Sequence, residues 1–132
     1  MFHQAKDQLI WKNGTLIKWD DSNVHILSHT LHYGTGVFEG VRAYNTDNGG
    51  AIFRLQDHTA RLFDAASKLN IQIPLTADEL NKAQIDVLKA NNLNEAYIRP
   101  IVYLGNESLG IRATDLSVNV AVAAWEWSSY MS

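Results

Sequence analysis

The run Ala96-Tyr97-Ile98-Arg99-Pro100-Ile101-Val102-Tyr103 sets one cation inside an otherwise apolar stretch. On a β-strand alternate residues share a face, so Tyr97, Arg99, Ile101 and Tyr103 point the same way. A guanidinium in such surroundings is costly unless something anionic meets it. Beside a phenol it forms a fork for a carboxylate, with charge-assisted hydrogen bonds that can be bidentate. An arginine at a strand edge, paired to a neighbouring acid, fits the spacing equally well.

The segment Thr35-Gly36-Val37-Phe38-Glu39-Gly40-Val41-Arg42 is a second candidate. Phe38, Gly40 and Arg42 share a face if it is a strand, and a glycine between larger neighbours leaves a gap for a ligand or a backbone. A bulge or a tight sheet crossing is the competing explanation. Gly34-x-Gly36 is too short for a nucleotide loop, which needs a strand, GxGxxG and a helix in succession. His25, His29 and His32 stand at i, i+4 and i+7, a spacing that puts them on one side of a helix and is compatible with a metal site. No carboxylate completes the set, so the reading favoured is structural histidines. Arg61, early in a helix, is within reach of a phosphate, although the physics alone favours a solvated residue. Trp125, Trp127 and Tyr130 are pocket aromatics or, more commonly, core or interface.

Several short elements must position these groups. Leu9-Ile10-Trp11 and Leu16-Ile17-Lys18-Trp19 flank Asn13-Gly14, a pair that favours a type I′ hairpin because both central residues need positive φ. Val37 to Tyr44 is predicted as a strand, residues 45–50 as a turn, and Ala51 to Arg54 as the return strand. Between Asp57 and Leu69 the apolar residues Leu62, Phe63, Ala66 and Leu69 have helical spacing, and Pro74 closes that element. Thr76-Ala77-Asp78-Glu79 is a capping box opening a second helix, which buries Leu80, Ala83 and Val87 and ends near Asn91-Asn92. Ala96 to Gly105 and Ser117 to Trp127 favour strands. The fold class expected is α+β, a two-layer domain with an antiparallel sheet and two helices packed on one face.

Composition narrows the function. The 132 residues fit one domain, and the charge of −3 is spread without a basic stripe. That argues against nucleic acid as a partner. There is no cysteine, hence no disulfide or thiolate chemistry. Neither a signal-peptide run nor a bilayer-length apolar stretch is present, so a soluble, cytoplasmic domain is expected. The abrupt finish at Ser129-Tyr130-Met131-Ser132 reads as an interior cut point.

Taken together the motifs resemble one family. Ser28-His29-x-Leu31-His32-Tyr33-Gly34-Thr35-x-x-Phe38-Glu39-Gly40-x-Arg42, then Phe53-Arg54-Leu55-x-x-His58-x-x-Arg61-Leu62-x-x-Ala65-Ala66, then Ala96-Tyr97-Ile98-Arg99-Pro100 and Ser108-Leu109-Gly110 follow one another in order. This pattern is similar to the N-terminal domain of branched-chain amino acid aminotransferases, which use pyridoxal 5′-phosphate (PLP) on the type IV fold. The resemblance implies that Arg61 contacts the PLP phosphate. It places Tyr97 and Arg99 at the carboxylate end of the substrate, Arg99 receiving the side-chain carboxylate of glutamate. Phe38, Gly40 and Trp127 would shape the apolar pocket for leucine, isoleucine or valine, with Arg42 on the same strand face and Tyr130 at the pocket's polar edge. Tyr33, Leu109 and Ile111 would reach the pocket of a second subunit, since sites in the family form in a homodimer or higher homo-oligomer. The reaction implied moves an amino group between a branched-chain amino acid and 2-oxoglutarate.

One departure is large. The family's chemistry needs a lysine that forms a Schiff base with PLP and shuttles a proton. Lys6, Lys12, Lys18, Lys68, Lys82 and Lys89 occupy hairpin, terminal or polar helix positions, and none matches it. In the family that lysine belongs to a C-terminal domain, so this chain is expected to supply half a site, with no catalytic residue of its own and no activity alone. The rival readings are a D-amino acid aminotransferase or an aminodeoxychorismate lyase on the same fold, and a stand-alone, non-catalytic domain that binds a partner or a small anion.

Overall fold

A computed structural model of the chain describes residues 6–126. The first two strands, β1 (Leu9–Lys12) and β2 (Thr15–Lys18), form the expected hairpin. Asn13 at φ 49° and Gly14 at φ 97° supply the two left-handed positions that the tight turn needs. After a 3-10 turn at Trp19–Asp21, one turn of helix, α1 (His29–Tyr33), sits at the end of the central strand. Its His29 N–H donates to Gly105 O, while Thr30 Oγ1 accepts from Leu104 N–H.

The strand expected over Val37 to Tyr44 is two strands, β3 (Gly36–Phe38) and β4 (Val41–Thr46). Both pair antiparallel with β6 (Ala96–Leu104) in one register, Phe38 opposite Ile101 and Val41 opposite Ile98, which sets Glu39 opposite Pro100. Glu39 N–H donates to Pro100 O at 3.1 Å. The return bond would need an N–H that proline lacks, so the ladder breaks here. The turn after β4 is also tighter than expected: β5 (Gly49–Ile52) takes both glycines assigned to the turn. Arg54, expected to end that strand, instead caps the next helix at φ 53°.

The helices α2 (Leu55–Lys68) and α3 (Ala77–Ala90) start within two residues of the boundaries that periodicity suggests. Thr76 and Glu79 form the capping box, each side chain accepting the other's backbone N–H. With β7 (Val118–Glu126) the sheet runs β2-β1-β7-β6-β4-β5, and β3 lies against β6. All pairings in it are antiparallel, and the α+β fold class expected from the sequence is the one found.

Alternation along β6 sorts its side chains between two faces. Ile98, Val102 and Leu104 point into the main core with Leu62, Leu80 and Val87 of the two long helices. Tyr97 lies on the opposite face with Trp125, Trp19 and Ala123. Helices α2 and α3 therefore fill one face of the sheet, and Tyr97 and Arg99 stand on the other.

Candidate functional site

On the open face Arg99 is half-buried among aromatic rings. Its guanidinium carbon lies 4.2 Å above the Phe38 ring and 5.3 Å from the centre of the Tyr97 ring. Nη2 donates to the Tyr97 hydroxyl at 2.7 Å. Nε is buried with no hydrogen-bond partner among the described residues. An unmet charged donor in an apolar setting is costly, and an arriving carboxylate is the group that would satisfy it. The edge-strand alternative is not what is found: β6 is interior to the sheet, and among the described residues no acid is paired with Arg99.

Tyr97 is held in turn by Trp125, the two rings stacked with centroids 5.0 Å apart. Gly40 stands at the ladder break beside it, and a Cβ there would run into the Tyr97 hydroxyl. The glycine is thus the space that the phenol occupies on its way to Arg99. Arg42, the next residue on that face, is exposed and pairs in register with Tyr97. Phe38, Gly40, Arg42, Tyr97 and Arg99 therefore form one constellation. Beyond Arg99 the face continues into a cavity of about 250 Å³ with mostly apolar walls, among them Ile101, Tyr103 and Ala123. Lys12 also borders it.

The sequence-predicted residues Tyr33, Leu109 and Ile111 form a separate group at the other end of β6. The Tyr33 hydroxyl donates to Leu109 O at 2.9 Å. Buried His29 ties α1 to the same loop, with Nε2 2.9 Å from Gly110 O and Nδ1 2.8 Å from Thr35 Oγ1. Glu107 closes the loop by accepting from the Ser117 N–H and hydroxyl, and these bonds lower its carboxyl pKa. Ile111 at the loop's apex is 85% exposed. Each histidine of the i, i+4, i+7 series has a hydrogen-bonding role. His25 Nδ1 accepts from Leu27 N–H, and His32 Nε2 lies against Ile26 O. Among the described residues no group of three or more possible ligands is placed to hold a metal. Trp127 and Tyr130 lie outside the described residues.

Arg61 belongs to neither group. It sits on α2 with its side chain 69% exposed, while its inner edge grips Glu39, which is 6% exposed. Nε donates to Oε1 at 2.6 Å and Nη2 to Oε2 at 2.8 Å. His58, one turn earlier, brings Nδ1 to 3.0 Å from Oε2. The Arg61 fork lowers the Glu39 pKa against the opposing effect of burial, and His58 adds to the lowering. Sequence reasoning missed Glu39 and His58. Residues i and i+3 share a helix face, so His58 and Arg61 were legible as a pair, but their common acid lies on a different element.

A family model for class IV aminotransferases matches residues 36–132. The chain belongs to the class IV aminotransferases. A branched-chain-amino-acid aminotransferase of Pseudomonas aeruginosa is 56% identical over 126 residues, covering 96% of this chain and 41% of the relative. The Escherichia coli enzyme of that name is 41% identical over 127 residues, with the same coverage of 96% and 41%. Its solved structure superposes with a TM-score of 0.89, covering 92% of this chain and 42% of that one. A T.th. branched-chain amino acid aminotransferase, complexed with N-(5′-phosphopyridoxyl)-L-glutamate, is 43% identical with a TM-score of 0.89, covering 92% and 42%. This class IV chain therefore spans about two fifths of the length of the relatives it matches.

Proposed function

We propose that the chain is the N-terminal domain of a PLP-dependent branched-chain amino acid aminotransferase, moving amino groups between leucine, isoleucine or valine and 2-oxoglutarate. The observation that carries this reading is the Arg99 site. Arg99, whose buried Nε has no partner among the described residues, stands in a wall that is otherwise mostly aromatic and aliphatic, with Lys12 at its border. Such a wall accepts an aliphatic side chain by burial and a second carboxylate by charge-assisted bonds, which is the pair of demands that these two substrates make.

The residues present fit PLP. The Arg61 guanidinium has its inner edge on Glu39 and its outer edge in solvent, free to meet a phosphate. Bound PLP would supply the electron sink for amino transfer. This chain's part is to bind and orient: Arg61 on the phosphate, Phe38 and Gly40 against the aliphatic group, Arg99 and Tyr97 on the carboxylate. Tyr33, Leu109 and Ile111 would complete the pocket of a second copy, since an exposed isoleucine on a loop tied down at Leu109 and Gly110 and closed by Glu107 on Ser117 suits an interface. The lysine that holds the cofactor covalently would come from a further domain. Action in the cytoplasm, with no nucleic-acid or membrane partner, completes the reading. It is supported by the dispersed charge of −3, and no helix among the described residues is long and apolar enough to cross a membrane.

Borohydride reduction of residues 1–132 after incubation with PLP, followed by peptide mapping, tests the division of labour. Scattered, substoichiometric lysine labelling and no amino transfer are expected. Stoichiometric labelling at one lysine, with Lys12 beside the Arg99 cavity the first to inspect, would overturn it. In the full-length enzyme, leucine and 2-oxoglutarate should react, and turnover of D-alanine in their place would move the assignment to a D-amino acid aminotransferase.

A further inference from the structure

A buried carboxylate demands an account. Glu39 is 6% exposed, lies at the ladder break between Phe38 and Gly40, and takes up both inner donors of Arg61. Taking such a charge out of water costs several kcal/mol unless its partners are well placed, and an apolar residue would fill the space more cheaply. What the carboxylate alone provides is a fixed plane for the guanidinium. Arginine loses much rotamer freedom on being ordered, and Arg61, with 69% of its side chain exposed, has little packing to order it. Two parallel N–H···O bonds remove that freedom in advance. His58 adds a third contact, with Nδ1 3.0 Å from Oε2, that helps hold the carboxylate in place.

We propose that Glu39 is a positioning residue for the cofactor: it clamps Arg61 so that the outer guanidinium edge is already aimed when a phosphate arrives. The proposal rests on the aminotransferase reading above and goes beyond it by assigning a role to an acid that never touches the ligand. It also explains the acid's place in the chain. Phe38 and Gly40, its immediate neighbours, face the opposite side of the sheet, so one backbone segment sets the phosphate anchor and the substrate wall together.

Glutamine at position 39 has nearly the same shape but exchanges one acceptor oxygen for a donor NH2. Whichever way the amide is turned, its NH2 faces an Arg61 donor, Nε at the Oε1 position or Nη2, beside His58, at the Oε2 position. The test is a double-mutant cycle on PLP affinity of the full-length apoenzyme, comparing wild type, E39Q, R61A and the double variant, with melting temperatures as a control. E39Q should weaken PLP binding about three- to tenfold, the factor expected when one long side chain must be ordered on binding. In the R61A background the same change should have no further effect. An equal loss in both backgrounds would show that Glu39 acts through general structure, and tighter binding by E39Q would show that it competes with the phosphate for Arg61; either overturns the proposal. Should E39Q fail to fold, E39D keeps the buried charge and shortens its reach by one methylene, and the same vanishing in the R61A background is expected. A wild-type apoenzyme that does not bind PLP would instead overturn the aminotransferase reading, and this proposal with it.

Discussion

Arg99→Leu separates recognition of a second carboxylate from a structural role, because the structure assigns the two roles different costs. For the fold, the substitution removes one charge-assisted bond to Tyr97 at 2.7 Å, worth about 1.5–3 kcal/mol. It also removes a cation–π contact at 4.2 Å to Phe38, worth about 0.5–1 kcal/mol. Against these, it deletes a buried Nε that has no partner among the described residues, a penalty of about 1–3 kcal/mol, and it leaves an aliphatic group on an apolar face. The two sides largely offset, so folding stability should fall by about 1 kcal/mol and by no more than about 3 kcal/mol.

For the substrate there is no such offset. Glutamate's side-chain carboxylate would meet leucine where it had met a guanidinium, losing a charge-assisted bond and remaining desolvated. Full-length Arg99→Leu should therefore lose about 2–4 kcal/mol in kcat/KM for glutamate relative to leucine, roughly thirty- to nine-hundredfold. Single-turnover kinetics with each amino acid, beside the melting temperature, measure both quantities. Where Arg99 also touches the α-carboxylate shared by both substrates, leucine falls as well and the gap narrows to the part due to the second carboxylate. Equal losses for leucine and glutamate, accompanied by a large drop in melting temperature, would refute the argument and return Arg99 to a structural role.

Three further outcomes follow from the same geometry. Arg61→Ala should weaken PLP binding roughly ten- to a hundredfold with little change in substrate preference, and unchanged affinity in a titration of the apoenzyme would leave Arg61 only its structural pairing with Glu39. Gly40→Ala should displace the Tyr97 hydroxyl, which occupies the space of the new Cβ, and since that hydroxyl orients Arg99 the KM for 2-oxoglutarate should rise more than that for leucine; equal KM values in wild type and variant would count against the contact. Glu39's carboxyl is held below its ordinary value of 4.5, so its contribution to stability is complete above that pH and is lost as pH falls through the lower, folded-state value; denaturant titrations of E39Q should therefore show a flatter loss of stability below pH 4.5 than wild type, and parallel acid limbs would contradict the paired carboxylate.

The elements were legible in the sequence wherever local chemistry decides them. Asn13-Gly14 can hardly avoid a tight turn, and Thr76 with Glu79 announces a helix start, so both appear where expected. What periodicity cannot carry is the effect of one strand on its neighbour. Val37 to Tyr44 alternates as a single strand, and only the register against β6, which brings Glu39 opposite Pro100, interrupts it. The Gly49-Gly50 pair likewise reads as a turn in isolation but pairs as strand, Gly50 opposite Asn45. The site divides along the same line. Tyr97 and Arg99 are two residues apart on one strand, so their shared face was visible; Glu39, His58 and Arg61 meet across 19 and 22 residues of chain, and no spacing rule reaches that far.

Pro100 connects these observations. It stands within an interior strand, where a proline normally costs a ladder bond, and here the missing bond is the one to Glu39. The chain opposite is released from the ladder for the two residues between β3 and β4, and those residues do unlike things: Glu39 turns toward α2 to hold Arg61, while Gly40 makes room for Tyr97 on the other face. Arg99, immediately before the proline, is kept extended by it and aimed at the open face. A residue at position 100 with an N–H would let the ladder close across Glu39 and draw its backbone into regular pairing. The Arg99-Pro100 step is therefore as much a part of the site as the side chains it aims, although proline itself offers no chemistry.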